Sequence, residues 1–300
     1  MPAMKQFPTP QFLRPVAKRF VEHGYSCYLV GGAVRNLLQE TEPEDFDLAT
    51  DAPPEEVRKL FKRVIPTGIE HGTVTVLFRS RTFEVTTFRV EGKYSDSRHP
   101  DKVGFTPSIE EDLKRRDFTV NGMAVDLGSD AFLDPHDGYG DLQRGLIRAI
   151  GEPEERFRED GLRIMRAVRF ATQLQFEIEP ETFAGIRNSL DTIEDVSAER
   201  IRDELVKILE SKKPSFGVRT LHESGILARI IPELDRCSDI PQGSPTAPDV
   251  LTHSALSCDG APAARLDLRL AALLHDIGKA PSVTTAAEGG YSFHGHEQVT

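Results

Sequence analysis

Two carboxylates, Asp45 and Asp47, stand two residues apart in "EDFDLAT", with Phe46 between them and Leu48 after them. Successive side chains of a strand point to opposite faces, so the aspartates share one face while Phe46 and Leu48 point into the protein. Two like charges so placed repel each other unless a cation lies between them. Mg²⁺ fits such a pair, because it takes few protein carboxylates and completes its shell with water and substrate phosphates. Paired metals about 3.5–4 Å apart serve displacement at phosphorus, one at the attacking hydroxyl and one at the triphosphate. Two aspartates on a solvated strand need no metal, so the spacing alone leaves both readings open.

Neighbouring segments supply further candidates. Gly31 and Gly32 end the apolar run "CYLV" and open "AVRNLL", an arrangement that lets backbone N–H groups approach a phosphate. Glycine pairs also mark plain turns. In "TFEVTTFR" the alternation sets Glu84 opposite to Phe83 and Val85, either on the carboxylate face or toward solvent.

The elements that must hold these residues follow from the pattern. Strands are expected at 27–30 and over "DFDLAT", and a helix over "DAPPEEVRKLF", with prolines and acids at its start. "GTVTVLF" (72–78) and "TFEVTTFR" (82–89) read as a hairpin closed by a tight turn. Residues 90–108 read as a loop, 109–126 as helix, and 133–150 as turn, short helix and final strand. From about residue 151 the pattern becomes helical. Residues 154–176 are apolar nearly all round and read as one helix packed between domains. Residues 197–210 open with Ser197 as a cap, and "DIPQGSPTAPD" (239–249) is the best linker.

Composition bounds the function. The 300 residues, 38% hydrophobic and 28% charged, suit a soluble protein of two or three domains. No run approaches the ~18 apolar residues of a membrane span, and residues 1–20 lack the apolar stretch of a signal peptide. Cys27, Cys237 and Cys258 form no metal-ligand spacing and fit a reducing cytoplasm. A net charge of −11 excludes nucleic-acid binding through bulk charge, so any such partner needs a local basic surface. Arg163, Arg166 and Arg169, three residues apart, and "KKPSFGVR" (212–219) offer one.

Four segments in order, "LVGGAVRNLL…DFDLAT", "RRDFTVNGMAVD" (115–126), "LDPHDGYGDLQRGLIRAI" and "EDGLRIMRAVRFA" (159–171), carry a resemblance. Over about residues 25 to 235 the chain resembles the class II tRNA nucleotidyltransferases (CCA-adding enzymes) and bacterial poly(A) polymerases of the polymerase-β-type superfamily. The resemblance implies catalytic Mg²⁺ on Asp45 and Asp47, and Glu84, if its strand turns it to that face, is the candidate third carboxylate. It implies triphosphate contacts from Gly31, Gly32 and Arg35, and sugar and phosphate contacts from Arg115, Arg116, Asp117 and Asn121. It also implies that Asp160 and Arg163 read the incoming base; Arg166 and Arg169, read from their spacing, are candidates for nucleotide and RNA binding beside them. An Asp acceptor beside an Arg donor matches the edges of cytosine and adenine and mismatches uracil and guanine. At i, i+3 on one helix these two side chains meet, although an intrahelical salt bridge uses the same spacing.

Where poly(A) polymerases carry a Gly-Arg-Arg-Phe-Arg-like segment, this chain reads "GIEHGTVTV", as in the tRNA-repairing branch; "EGKYSDSRHPD" has the full length associated with adding the terminal A. Two positions depart from the family pattern: Asn36 stands for an Asp and Gly122 for an Ala. "LTHSAL", "LAALLHDIGKA" and "FHGHEQ" resemble the start of an HD domain, with His253, His275 and Asp276 as its first ligands, His296 as a later one, and a transition-type metal implied.

The expectation is an α+β protein. Residues 1–150 form a nucleotidyltransferase head with a mixed sheet, 151–238 a helical neck and body that binds the base and RNA, and 250–300 a partial HD domain. The implied partners are CTP, ATP and the tRNA 3′ end, with no membrane. The implied alternatives are an A-adding enzyme, a poly(A) polymerase or, more remotely, an HD-type phosphohydrolase.

Overall fold

The computed structural model describes residues 7–91, 103–242, 246–285 and 291–300. It divides into two compact units, Met1–Glu152 and Pro153–Thr300.

The first unit contains strands β1 (Tyr28–Val30), β2 (Asp47–Thr50), β3 (Val64–Gly68), β4 (Thr73–Phe78), β5 (Arg81–Thr87), β6 (Arg89–Glu91), β7 (Val103–Phe105), β8 (Ala124–Asp126) and β9 (Phe132–Leu133). Its helices are α1 (Arg14–Val21), α2 (Gly32–Leu38), α3 (Pro54–Leu60), α4 (Ile109–Lys114) and α5 (Gly138–Arg144). Seven strands make one mixed sheet in the order β3-β4-β5-β2-β1-β8-β9, parallel at β2–β5 and antiparallel elsewhere. Arg79 and Ser80 close the β4–β5 hairpin at φ 48° and 66°, the two-residue turn that matches strand twist.

Alternation gives this sheet two unlike faces. Leu29, Leu48, Val74, Val76, Phe83, Val85 and Val125 fill one face and are buried. On the other, Val30, Ala49 and Ala124 pack with Ile109 and Leu113 of α4. Along β2, β5 and β4 that second face turns polar, with Asp47, Glu84 and Thr75 aligned in register. Phe46 leans toward the apolar face as expected, half-buried, with its ring 4.9 Å from Phe12.

Two expectations for this unit are corrected. Residues 109–126 are not one helix: α4 stops at Lys114, residues 119–121 make a single 3₁₀ turn, and β8 follows. Sheet pairing overrides local propensity here, because β8 fills the place between β1 and β9, with Leu29 opposite Val125. Nor are residues 90–108 all loop, since Arg89–Glu91 pairs with Val103–Phe105. Most of "EGKYSDSRHPD" lies outside the described residues.

The second unit is helical: α6 (Pro153–Glu159), α7 (Leu162–Leu174), α8 (Pro180–Asn188), α9 (Ala198–Leu209), α10 (Pro214–Ser224), α11 (Ile226–Ile230), α12 (Pro232–Asp235), α13 (Val250–Gly260) and α14 (Leu266–Leu274). The single helix expected over 154–176 is two, broken at Asp160-Gly161. Gly161 allows the break, because a Cβ there would stand 2.2 Å from the Thr192 carbonyl oxygen. Ser197 precedes α9 without a side-chain cap bond. The 239–249 stretch lies inside this unit, and Asp249 ends it by capping α13, accepting from the Thr252 amide at 2.7 Å. Among the described residues no helix is long and apolar enough to cross a membrane.

Candidate functional site

β1, β2 and β5 bring Val30, Asp47 and Glu84 into one row, because Asp47 is the register partner of both neighbours. Side chains in register share a face, so Glu84 joins Asp47 on the polar face. Asp45 precedes the assigned strand and is exposed, whereas Asp47 and the residues after it sink into the sheet. The Asp47 carboxyl is raised to about 6, chiefly by burial, then by the Glu84 charge, with Asp45 adding to it and Arg116 opposing it. That is the electrostatic signature of clustered carboxylates with too little positive charge nearby.

Gly31 closes the row from above. It adopts φ 69° and ψ −140°, a conformation that essentially only glycine holds. A Cβ there would lie 3.3 Å from Arg116 Nη1 and 3.6 Å from Asp47 Oδ2. The space left by the missing side chain is bordered by both the Arg116 guanidinium and the Asp47 carboxylate.

Two networks fix the basic residues. Arg35 Nη1 donates to Asn121 Oδ1 at 2.6 Å, and Asn121 Nδ2 donates to Asp117 Oδ1 at 3.2 Å. The Phe118 amide donates to the same Asp117 oxygen at 2.8 Å. Asn36, one of the departures from the family pattern, accepts from Arg35 Nε and Nη2 at 3.3 and 3.1 Å. Arg115 and Arg116 both donate to Asp112. Arg115 donates through Nε and Nη2 at 2.9 and 2.8 Å, and Arg116 through Nη2 at 3.2 Å. Burial alone would raise the Asp112 carboxyl, but the two arginines hold it below the usual range. Sequence reading missed Asp112, although its i, i+3 and i, i+4 spacing to the arginine pair is a legible signal.

Asp45, Asp47 and Glu84 fit a hard divalent cation. Their donors are all carboxylate oxygens, and Asp47 carries the unfavourable charge that a cation would relieve.

In the second unit, the expected side-chain pairing of Asp160 with Arg163 is corrected. Asp160 sits at the break before α7, where Oδ1 accepts from the Leu162 amide at 3.1 Å and Oδ2 from Arg200 Nη2 at 2.8 Å. Arg163 Nη1 donates to Glu159 Oε2 at 2.5 Å and to the Arg156 carbonyl at 3.0 Å. The arginine row is not one exposed strip. Arg166 lies over the Phe170 ring at 5.3 Å, while Arg169 is buried against Glu204 at 2.5 Å.

Near the end of the chain, His253, His275 and Asp276 gather ligand atoms within 4.8 Å of one another. Lys279 Nζ donates to Asp276 Oδ2 at 2.7 Å, and His296 Nε2 lies 3.7 Å from Oδ1. Among the described residues the head carboxylates form no set drawn so close.

With this geometry established, comparisons place the chain. Residues 27–148 match the Poly A polymerase head domain, and residues 175–238 match the probable RNA and SrmB-binding site of polymerase A. The chain is 52% identical over 194 residues to the CCA-adding enzyme of Lactobacillus johnsonii, which is 65% of this chain and 48% of that protein. It is 47% identical over 205 residues to the CCA-adding enzyme of Ligilactobacillus salivarius, 68% of this chain and 50% of that protein. The chain thus spans about half the length of the curated relatives it matches. The crystal structure of the Bacillus stearothermophilus CCA-adding enzyme in complex with CTP superposes with a TM-score of 0.71 at 34% identity, covering 88% of this chain and 69% of that one. The Thermotoga maritima CCA-adding enzyme complexed with tRNA gives a TM-score of 0.63 at 26% identity, over 78% of this chain and 57% of that one.

Proposed function

The chain belongs to the CCA-adding enzyme family, and from that premise we propose that its head adds CMP and AMP, from CTP and ATP, to the 3′ end of tRNA without a nucleic-acid template. The observation that carries this is Asp47 paired in register with Glu84, with Arg116 and Asp47 both bordering the space left by Gly31.

Asp45 and Asp47 would hold Mg²⁺, with Glu84 alongside, and the metal would supply charge neutralisation at the triphosphate and a more acidic attacking hydroxyl. The tRNA 3′-hydroxyl displaces pyrophosphate from the α-phosphate, a reaction that depends on positioning and neutralised charge more than on covalent help. Arg35, Arg115 and Arg116 offset phosphate charge, and Gly31 and Gly32 let backbone and phosphate come close. Asp117 and Asn121 fix Arg35 and meet the sugar. Asp160 accepts from the amino group of cytosine or adenine, and Arg163 donates to the adjacent ring nitrogen. Uracil or guanine would leave both groups unpaired, at a cost of about 1–3 kcal/mol each. Arg166 and Arg169 support this region, one toward RNA and one through its buried pair with Glu204. The buried free cysteines suit a protein working in the cytoplasm.

The test uses tRNAs ending before CCA, after C and after CC, each given CTP, ATP, UTP or GTP alone and CTP with ATP. Three nucleotides and a stop support the proposal. Addition of A alone assigns an A-adding enzyme, and a long ladder assigns a poly(A) polymerase. Unchanged incorporation by the Asp45→Ala/Asp47→Ala variant would sink the reading altogether.

A second site has its own observation, the ligand set of His253, His275 and Asp276. We propose that it holds a transition metal as an HD-type phosphohydrolase centre, with imidazole and carboxylate ligands suited to such ions. Metal content after dialysis, compared with Asp276→Ala, tests it; equal content in both proteins would exclude it.

A further inference from the structure

We propose that Asp112 is the positioning residue of the nucleotide site, a buried acid that holds Arg115 and Arg116 as one preset unit and directs Arg116 at the carboxylate edge. This assignment rests on the head acting on nucleoside triphosphates.

The geometry carries it in three steps. First, the Asp112 side chain is 1% exposed, yet both oxygens are engaged by guanidinium groups, Oδ1 by Arg115 and Oδ2 by Arg116. A buried carboxylate is retained only where its charge is matched, and here two cations match one anion. Second, both arginines are largely covered, at 16% and 18% side-chain exposure, so their chains are already ordered before any ligand arrives. Binding then avoids the loss of rotamer freedom that two free arginines would incur. Third, Arg116 Nη2 is held by Asp112, while Nη1 borders the space at Gly31 that Asp47 Oδ2 also borders.

A capping role does not account for these bonds. Ser108 supplies the N-terminal cap of α4 by accepting from the Glu111 amide. Asp112 instead accepts, besides the two side chains, from the Arg89 amide of β6 at 3.4 Å, so its partners lie beyond its own helix.

The experiment is a double-mutant cycle on the full chain with Asp112→Asn, Arg116→Gln and the pair together. The readouts are CTP and ATP dissociation constants by calorimetry and steady-state incorporation into tRNA. Asp112→Asn should weaken CTP and ATP alike by tenfold or more, leave the CTP/ATP ratio and the KM for tRNA within twofold, and add at most twofold to the loss from Arg116→Gln. Asp112→Glu keeps the charge and is the second variant should the asparagine protein fail to fold; it should bind CTP more tightly than any folded variant that lacks an acid there. Independent, additive losses would overturn the assignment, as would wild-type affinity in Asp112→Asn. A wild-type protein that binds CTP without incorporating it would sink the proposed reaction, and the affinities would still decide the role of Asp112. A wild type that neither binds nor incorporates would sink both.

Discussion

The carboxylate of Asp160 is paired with Arg200, forty residues further on, at 2.8 Å, rather than with Arg163 three residues away. Arg163 in turn is held by Glu159 at 2.5 Å. The two groups proposed to read the base therefore each have a separate counter-ion.

Removal of Arg200 should therefore be felt in nucleotide choice. The Asp160–Arg200 pair is partly exposed, at 19% and 24%, so its share of stability is small, about 1 kcal/mol or less. Arg200→Gln is expected to raise the KM for CTP and ATP about tenfold, with UTP and GTP little changed, while Tm moves only slightly; tenfold corresponds to about 1.4 kcal/mol of lost orientation. Arg200→Lys should recover part of this. Kinetics with each nucleotide alone checks it, and undiminished discrimination would show that Asp160 is held without Arg200.

How much of this was legible in the sequence varies with the range of the interactions. The Asp47–Glu84 row was half legible, because alternation in "DFDLAT" and "TFEVTTFR" gives the facing of each residue. The parallel register that aligns them is set by the whole sheet. Gly31 and Gly32 were legible as an opening of helix after strand, but not the nearness of Arg116 to Gly31, which comes from a segment 85 residues away whose helical pattern hid a strand, β8. Asp112 was within reach of a spacing argument. Arg200 was not, since nothing local marks which of the acidic residues an arginine on α9 will meet. The break at Asp160-Gly161 was hidden by an apolar pattern continuous through it, as was the close approach of the Thr192 backbone to Gly161.

The raised carboxyl of Asp47 predicts how metal and pH interact. With a folded-state pKa of about 6 against an ordinary value of 3.8, the native protein binds a proton more readily than the unfolded chain between these limits. Stability of the metal-free protein should thus rise as pH falls from about 7 through 6, and the gain should be complete near pH 4, as far as this group is concerned. A divalent cation needs the ionised form. Mg²⁺ should therefore shift Tm upward at pH 7.5 and little at pH 5, and the acid limb of activity should move to lower pH as Mg²⁺ is raised. Thermal melts over a grid of pH and Mg²⁺ check both; an Asp47→Asn protein should lose the pH dependence between 4 and 6.

Gly31 makes a separate prediction for geometry. Gly31→Ala places a Cβ at φ 69° and within 3.3 Å of Arg116. Backbone strain of this type costs about 1–3 kcal/mol. Because Arg116 must also give way, activity should fall by more than stability accounts for. The expected outcome is a folded protein with incorporation reduced at least a hundredfold at a temperature well below its Tm. Circular dichroism and labelled CTP incorporation, measured on the same preparation, separate the two effects.

Gly122 stands where the family pattern has alanine, and a Cβ here would crowd the end of the Ile150 side chain. A Cβ at this position would come within 2.7 Å of the Ile150 Cδ1 and 3.5 Å of His136 Cδ2. Ile150 is itself 3% exposed, so it has little space into which to turn. Gly122→Ala is thus an overpacking change, expected to cost about 1–3 kcal/mol even though alanine is the commoner residue in the family pattern. Shortening the facing side chain removes the clash while leaving the backbone alone. Ile150→Val by itself should cost about 0.5–1.5 kcal/mol by opening a small void. The double variant, Gly122→Ala with Ile150→Val, should then be more stable than either single variant, because the new methyl fills the volume that the lost one vacated. Urea unfolding of the four proteins measures the coupling directly. Additive losses would mean that the contact is relieved elsewhere, and that residues 122 and 150 do not constrain each other.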